Sequence, residues 1–162
     1  FVKDHLTFAK KGQYLFGSRV NIQKEILEDI FKNKTVHFNF FSKGIKKRTR
    51  TLRIPIFMNF EKEHDRISKK LRGCNMSFWK EDFIKINGFN ENLVGWGIDD
   101  SEMIQRLHNI GIQGKRLKYA GIAFHIYHPE QSKSHIEINN EIERLTTENK
   151  ITYIEKGVDQ FL

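Results

Sequence analysis

A chain of 162 residues with 38% hydrophobic content and 14 phenylalanines can bury one sizeable core, and two prolines leave little room for long linkers. No apolar run approaches the length of a membrane span, no signal peptide is evident, and the single cysteine, Cys74, excludes an internal disulfide and fits a reducing compartment. The net charge of +8 favours anionic partners such as nucleotide phosphates, acidic lipid headgroups or nucleic acid, without choosing among them.

In chain order, FVKDHLTFAKK predicts a helix over 1–11, with Val2, Leu6 and Phe8 or Ala9 inward and Gly12 as its stop. YLFGSRVNI predicts a short strand over 14–20 interrupted by Gly17. Ile22, Ile26, Leu27, Ile30 and Phe31 then recur at helical spacing behind Asn21 as a cap. From Thr35 to Lys70 the rhythm is lost: HFNFF is strand-like, IKKRTRTLR is basic and IPIFMNF is apolar again. There Lys46, Lys47, Arg48, Arg50 and Arg53 make the densest charge cluster, either a solvated loop or a surface meeting an anionic membrane. No zinc-finger, RNP-type or helix-turn-helix signature accompanies the charge, so nucleic acid is not expected as a partner. CNMSFW predicts a buried strand over 74–79, with Cys74 a small buried side chain rather than a reactive thiol. KEDFIKI predicts a short helix closed by Asn87 and Gly88.

The stretch NGFNENLVGWGIDDSE, 87–102, is the most informative in the chain. Gly95 and Gly97 allow positive φ or close approach of a ligand, and Trp96 between them offers a flat apolar face of the kind on which a sugar ring or base stacks. Asp99 and Asp100 follow where DSEMIQRLHNIG begins a helical pattern with Met103, Leu107 and Ile110 on one face. Carboxylates are favoured at a helix N-terminus, so Asp99 is open to two readings: an N-cap behind a Gly-rich turn, or part of a site. Beyond this helix, KRLKYAGIAFHIYH predicts a strand over about 116–127 that Pro129 stops. SHIEINNEIERLTTENK predicts a C-terminal helix, with Ile138, Ile142 and Leu145 on the face that folds back over the domain. The mixture of strands and helices indicates α/β architecture.

NGFNENLVGWGIDDSEMIQRL, with RGCNMSFWKEDF before it and AFHIYHPE after it, resembles the C-terminal half of inverting GT-A glycosyltransferases. The likeness is to the galactosyltransferase-like segment of bacterial family 2 enzymes, chondroitin polymerase and the β-1,4-galactosyltransferases. It spans roughly residues 1–130, and its specific part is Arg72 to Pro129. The resemblance implies an α/β fold made of the acceptor-side half of a GT-A domain, a mixed sheet with flanking helices over 1–130. Residues 131–162 are then a helical extension packed on it. GT-A enzymes usually carry an Asp-x-Asp on the strand ahead of the region where this chain starts, and no such tripeptide occurs here. Together with a first residue that is Phe rather than Met, this implies a piece of a longer protein, its nucleotide-binding half upstream, inactive alone.

The resemblance makes Asp100 the catalytic base, and a carboxylate beside Trp96 is open to having its pKa raised by desolvation. It places Asp99, Glu102, Trp96 and Gly97 in acceptor or donor-sugar binding, and brings Arg72 and Gly73 near the donor sugar. Ser101 departs from the run of aspartates in the animal enzymes, which touches acceptor binding more than catalysis. His125 and His128 match two metal-ligand positions of the β-1,4-galactosyltransferases, implying Mn²⁺ or Mg²⁺ completed by the upstream Asp-x-Asp. Taken alone, a strand histidine is more often structural, and residues three apart on an ideal strand face opposite sides unless the backbone turns near Tyr127. Arg19, in GSRV, is a candidate for a phosphate. His5, His37, His64, His108 and His135 have no motif around them and are read as surface or core residues.

The expected function is inverting, metal-dependent transfer of a hexose or N-acetylhexosamine from a UDP-sugar to a glycan or lipid-linked glycan acceptor, in bacterial cell-surface polysaccharide synthesis. The expected location is cytoplasmic, peripheral at the inner face of the plasma membrane if the basic cluster meets lipid. The alternative is a carbohydrate- or polyanion-binding module that kept the fold and lost catalysis. A third, a nucleic-acid-binding domain, rests on charge alone.

Overall fold

The computed structural model describes residues 1–34, 37–129 and 132–162. Its centre is strand β1 (Gln13–Gly17), every residue of which is buried. β1 pairs parallel with β6 (Gln113–Leu117), Phe16 opposite Arg116, and antiparallel with β5 (Met76–Ser77), Leu15 opposite Ser77. β4 (Glu63–His64) closes the far edge, giving the order β4-β6-β1-β5. Past Ser18 the chain continues as β2 (Arg19–Ile22), parallel to β7 (Ala123–His125) and antiparallel to β3 (Ile45–Lys46). The sequence reads each of the two long strands as one, but both break, at Ser18 and over 118–122, so two small sheets replace a single larger one.

The breaks are tied together by Asn75, which is fully buried. Its amide donates to Ser18 O at 2.8 Å and Gly121 O at 2.7 Å, while its oxygen lies 3.0 Å from His5 Nε2. Because the amide nitrogen is committed to two carbonyls, the oxygen accepts and His5 carries its proton on Nε2; Ser77 Oγ meets Nδ1 at 2.7 Å. Asp4 anchors the same corner by accepting from Gly121 N at 2.9 Å and from Arg53 Nε at 3.1 Å. These bonds explain why α1 (Val2–Phe8) turns its polar residues inward. Val2 and Leu6, expected to be inward, are exposed; Asp4 and His5 are buried, and Phe8 packs against the cluster of Leu15, Met58, Leu117 and Ala120.

Several local expectations give way in the same manner. Asn21 and Ile22 finish β2, so α2 begins at Leu27 and ends at Asn33, without Asn21 as its cap. HFNFF forms no strand over 37–41, and IPIFMNF coils into a 3-10 turn at Pro55–Phe60. Residues 73–75 make a 3-10 turn ahead of β5 in place of a buried strand. Cys74 is exposed there, its Sγ 3.9 Å from Arg19 Nη1, because the inward position of that turn is taken by Asn75. The basic cluster also divides. Arg53 pairs with Asp4 and Arg50 donates to Arg19 O at 2.9 Å, while Lys46 and Lys47 are exposed.

Helix α3 (Lys80–Lys85) ends as its sequence predicts, with Asn87 and Gly88 at φ 63° and 72°. Helix α4 (Asp99–Asn109) buries Met103, Ile104 and Leu107 completely against Tyr14, Phe16, Leu71 and Ile86. Each such side chain contributes about 1.5–3 kcal/mol of transfer free energy, which fixes the orientation of α4 and of the residues at its start. Helix α5 (Ile136–Glu148) folds back on α4, but its inward face carries Asn139 and Thr146. Ile138 and Leu145, predicted to face the domain, are exposed at 62% and 38%. A division of the chain at 130 and 131 falls outside the described residues.

Candidate functional site

A cleft of about 1130 Å³ opens between the start of α4, the 67–74 segment and the ends of β2 and β7. Its lining brings together Arg72, Gly73, Trp96, Gly97, Asp99, Asp100, His125 and His128, eight of the nine residues singled out in the sequence. The ninth, Glu102, does not reach it. Its carboxylate is completely buried on the opposite side of α4, bonded to Arg106 Nε at 2.9 Å and Nη2 at 2.8 Å and to Thr146 Oγ1 at 3.0 Å. Arg106 in turn donates to Ile86 O and Gly88 O at 2.5 and 2.7 Å. With both charges fully hydrogen-bonded, the pair is satisfied without water, and Glu102 is a structural residue locking α4 to the turn at Gly88 and to α5. An acceptor-binding role for Glu102 is therefore corrected.

Asp100 is held by its surroundings rather than by an ion pair. Gly73 N donates to its Oδ2 at 2.6 Å. A Cβ on residue 73 would lie 2.0 Å from Oδ1, so only glycine allows the carboxylate to approach this backbone. Burial pushes the Asp100 carboxyl above the usual range, Asp99 pushes it the same way, and the Gly73 N–H, Arg72 and Arg19 oppose them. Asp99 is exposed and makes no capping bond to α4, so the N-cap reading fails. The cap position belongs to Ile98, whose carbonyl accepts from Glu102 N at 2.8 Å and Ser101 Oγ at 3.1 Å.

Ile98 has φ 80°, directly after Gly97 at φ 95°. A β-branched residue in this region stores about 1–3 kcal/mol of strain, which surrounding contacts must offset. Those contacts come from the C-terminal helix. Asn139 donates to Val94 O at 3.1 Å and Gly97 O at 3.3 Å, and Ile136 lies where a Cβ on residue 97 would be 3.3 Å from its Cδ1. Trp96 stays 41% exposed on the cleft wall, with Lys133 Nζ 4.8 Å from its ring centroid. Arg72 bends back on its own loop, donating to Lys69 O at 3.1 Å and to Leu71 O.

His125 closes β7, and the chain leaves the strand directly after it. The alternation that would send His128 to the other face therefore does not apply, and the two rings meet edge to face with centroids 5.0 Å apart. His128 Nδ1 lies 2.9 Å from Pro129 O, which fixes that nitrogen as a donor and leaves Nε2 for the cleft. Burial, then Arg19 and His128, hold the His125 pKa below the ordinary imidazole value. Neutral imidazole is the form that binds metal. Among the described residues, no group of three or more His, Cys, Asp or Glu side chains is gathered closely enough to hold an ion. Imidazoles are ligands that a borderline divalent cation accepts beside oxygens, but this pair alone falls short of a metal site.

Three residues escaped the sequence reading of this site. Asn75 has no motif, and its partners lie 46 to 70 positions away. Asn139 reaches the loop from 42 to 45 residues downstream. Cys74 lines the cleft although its apolar neighbours suggest burial.

Residues 56–129 match the family described as the N-terminal domain of galactosyltransferase, a span that is a little under half of the chain. All nine residues named from the sequence fall inside it, whereas Arg19 and Asn139 fall outside. The match and the mixed α/β architecture support a glycosyltransferase-like domain. No curated protein and no solved structure matches the chain. Among the described residues, no helix is long and apolar enough to cross a membrane.

Proposed function

We propose that this domain is the acceptor-side half of an enzyme that transfers a hexose or N-acetylhexosamine from a UDP-sugar to a glycan or lipid-linked glycan acceptor with inversion, in bacterial cell-surface polysaccharide synthesis. The observation that carries the reading is the half-buried Asp100 carboxylate, seated on the Gly73 N–H inside a cleft walled by Trp96. A carboxylate with a raised pKa and an open approach from the cleft can take the proton of an acceptor hydroxyl as that oxygen attacks the anomeric carbon. Trp96 offers its exposed face to the acceptor sugar, and Asp99, beside it, accepts hydrogen bonds from sugar hydroxyls. Arg19 and Arg72 face the same space and oppose the negative charge that develops on a leaving diphosphate. His125 and His128 would hold Mn²⁺ or Mg²⁺, which supplies Lewis-acid stabilisation to that diphosphate when bound. The exposed cations Lys46 and Lys47 suit peripheral contact with an anionic membrane at the cytoplasmic face.

The experiment is a transfer assay of the full-length enzyme with a panel of UDP-sugars, with and without Mn²⁺, comparing the parent with Asp100→Asn. Asn keeps the size of the side chain and an oxygen for Gly73 N–H but cannot take a proton. Turnover is expected to fall about 10²-fold or more, with donor affinity little changed. Because burial disfavours the ionised carboxylate, folding stability should hold or rise in the same variant. Near-normal turnover in Asp100→Asn removes this residue from the role. Saturable glycan binding with no transfer from any UDP-sugar would favour the binding-module reading.

A further inference from the structure

We propose that a second pocket, formed by Ser18, Thr49, Arg50 and Arg116, is an anion site for a phosphate-class oxyanion, outside the Trp96–Asp100 cleft. The pocket has a volume of about 150 Å³ and shares no lining residue with the cleft. That is below the roughly 300–1,000 Å³ of sites for drug-sized ligands, so it fits an ion or a terminal phosphate group rather than a nucleotide sugar.

Its polar lining is cationic, the remainder being Leu117, Tyr119, Ala120 and Ile122, and no carboxylate is among the lining residues. Arg116 is aimed by its own hydrogen bond, Nη2 to Ser18 Oγ at 3.1 Å, while its Nε is buried and has no hydrogen-bond partner. Buried polar groups in folded proteins are nearly always paired, so an unpaired nitrogen on a guanidinium group whose residue lines a pocket points to an acceptor close by. Arg50 is fixed by a 2.9 Å bond from Nη1 to Arg19 O, and no carboxylate among the described residues forms an ion pair with Arg50, Arg116 or Arg19. Lys118, at the rim, is already paired with Glu61 at 3.4 Å and contributes less.

The result is a concentration of like charge without internal compensation. Burial, then Arg116, then Arg72 and Arg19 all hold the Arg50 pKa below its ordinary value. An anion between Arg50 and Arg116 would relieve that repulsion, and two guanidinium forks with hydroxyls at Ser18 and Thr49 match the several acceptor oxygens of a tetrahedral oxyanion. Phosphate here has two sources, free inorganic phosphate or a phosphate ester carried on a substrate.

The test is an NMR titration of the full chain with inorganic phosphate at constant ionic strength, following arginine Nε–H signals and the Ser18 and Thr49 amides. The site predicts saturable shifts centred on Arg116 Nε–H at about millimolar phosphate. Arg116→Gln should weaken binding by about tenfold or more, since it removes a charge-assisted pair. Arg116→Lys, which keeps charge but not the fork, should recover part of it. Asp100→Asn should leave it intact. A sugar 1-phosphate that binds more tightly than phosphate identifies an ester as the source; equal or weaker binding identifies the free ion. Linear, unsaturating shifts in the unmodified chain, or saturation centred on Arg19 and Arg72 in the cleft, would overturn the proposal without touching the assignment of Asp100.

Discussion

At Asp100, opposed influences meet within a few ångströms. Desolvation and the Asp99 charge raise its pKa, and the Gly73 N–H, Arg72 and Arg19 lower it. If Asp100 is the base, the acid limb of kcat/KM reports its ionisation. Asp99→Asn removes a raising charge and should move that limb to lower pH. Arg72→Gln removes a lowering charge and should move it to higher pH. Limbs that move together, or not at all, would place the titration on another group. Arg72-Gly73, Gly-Trp-Gly-x-Asp-Asp and the His125–His128 pair, picked out by their resemblance to a family pattern, do line one cleft, because the segments that carry them converge there. Glu102 does not. It follows Asp99 and Asp100 within one helical turn, and only Arg106 one turn on and Thr146 from another helix reveal it as a buried ion-pair partner. Cys74 was misjudged for the reverse reason, since Asn75 occupies the interior that its apolar neighbours seemed to offer it.

Elements here are placed by a few buried polar residues as much as by apolar stripes. Asn75 is the clearest case, joining α1, the break between β1 and β2 and the loop before β7. Asn75→Ala would leave the carbonyls of Ser18 and Gly121 buried and unpaired, each worth about 1–3 kcal/mol, so a loss of about 2–4 kcal/mol is expected by chemical denaturation. A cost under about 1 kcal/mol would mean that water or local rearrangement replaces the amide. Helix positions were legible for α3 and α4, where apolar spacing and a Gly stop agree with the tertiary contacts. The inward faces of α1 and α5 were not. In both, much of the predicted stripe lies outward, Val2 and Leu6 or Ile138 and Leu145, and the fully buried side chains are Asp4 and His5, or Asn139 and Thr146. Periodicity reports which face is oily; it does not report that a carbonyl elsewhere needs an amide. Neither could it show where one strand becomes two, because the breaks at Ser18 and over 118–122 depend on one side chain from a third segment.

Across the whole molecule, two neutral histidines link stability to pH. Burial is the largest cause holding both His5 and His108 below the imidazole value of 6.5. His5 donates to Asn75 and lies against Ser77; His108 Nε2 lies 3.1 Å from Tyr14 Oη. Just below pH 6.5 the unfolded chain then binds more protons than the folded one, so stability rises with pH in that window. Conversely, it is lost as pH falls from about 6.5 through the folded values. Denaturation midpoints measured between pH 7 and 5 should decline, and the decline should shrink in a His5→Gln, His108→Gln variant. A parent protein with flat midpoints over that range would show that neither ring is kept neutral by folding. The general class, one mixed α/β domain with its cleft at the start of the central helix, was legible from composition and motif together.

Asn139 holds the Val94–Gly97 backbone from the C-terminal helix, and that sets an order of events during synthesis. Chains emerge at roughly 5–20 residues per second, so the strained turn at Gly97 and Ile98 leaves the ribosome seconds before the helix that steadies it. Until then nothing offsets the strain, and the Trp96 wall has no reason to keep its shape. A chain released before Asn139 is therefore expected to be cut readily by protease around residues 94–98, while a chain that extends through α5 resists. Equal resistance would show that the turn holds unaided. On this view a helix made after the cleft motif is what finishes the Trp96 wall, and an interrupted product displays the motif without the surface.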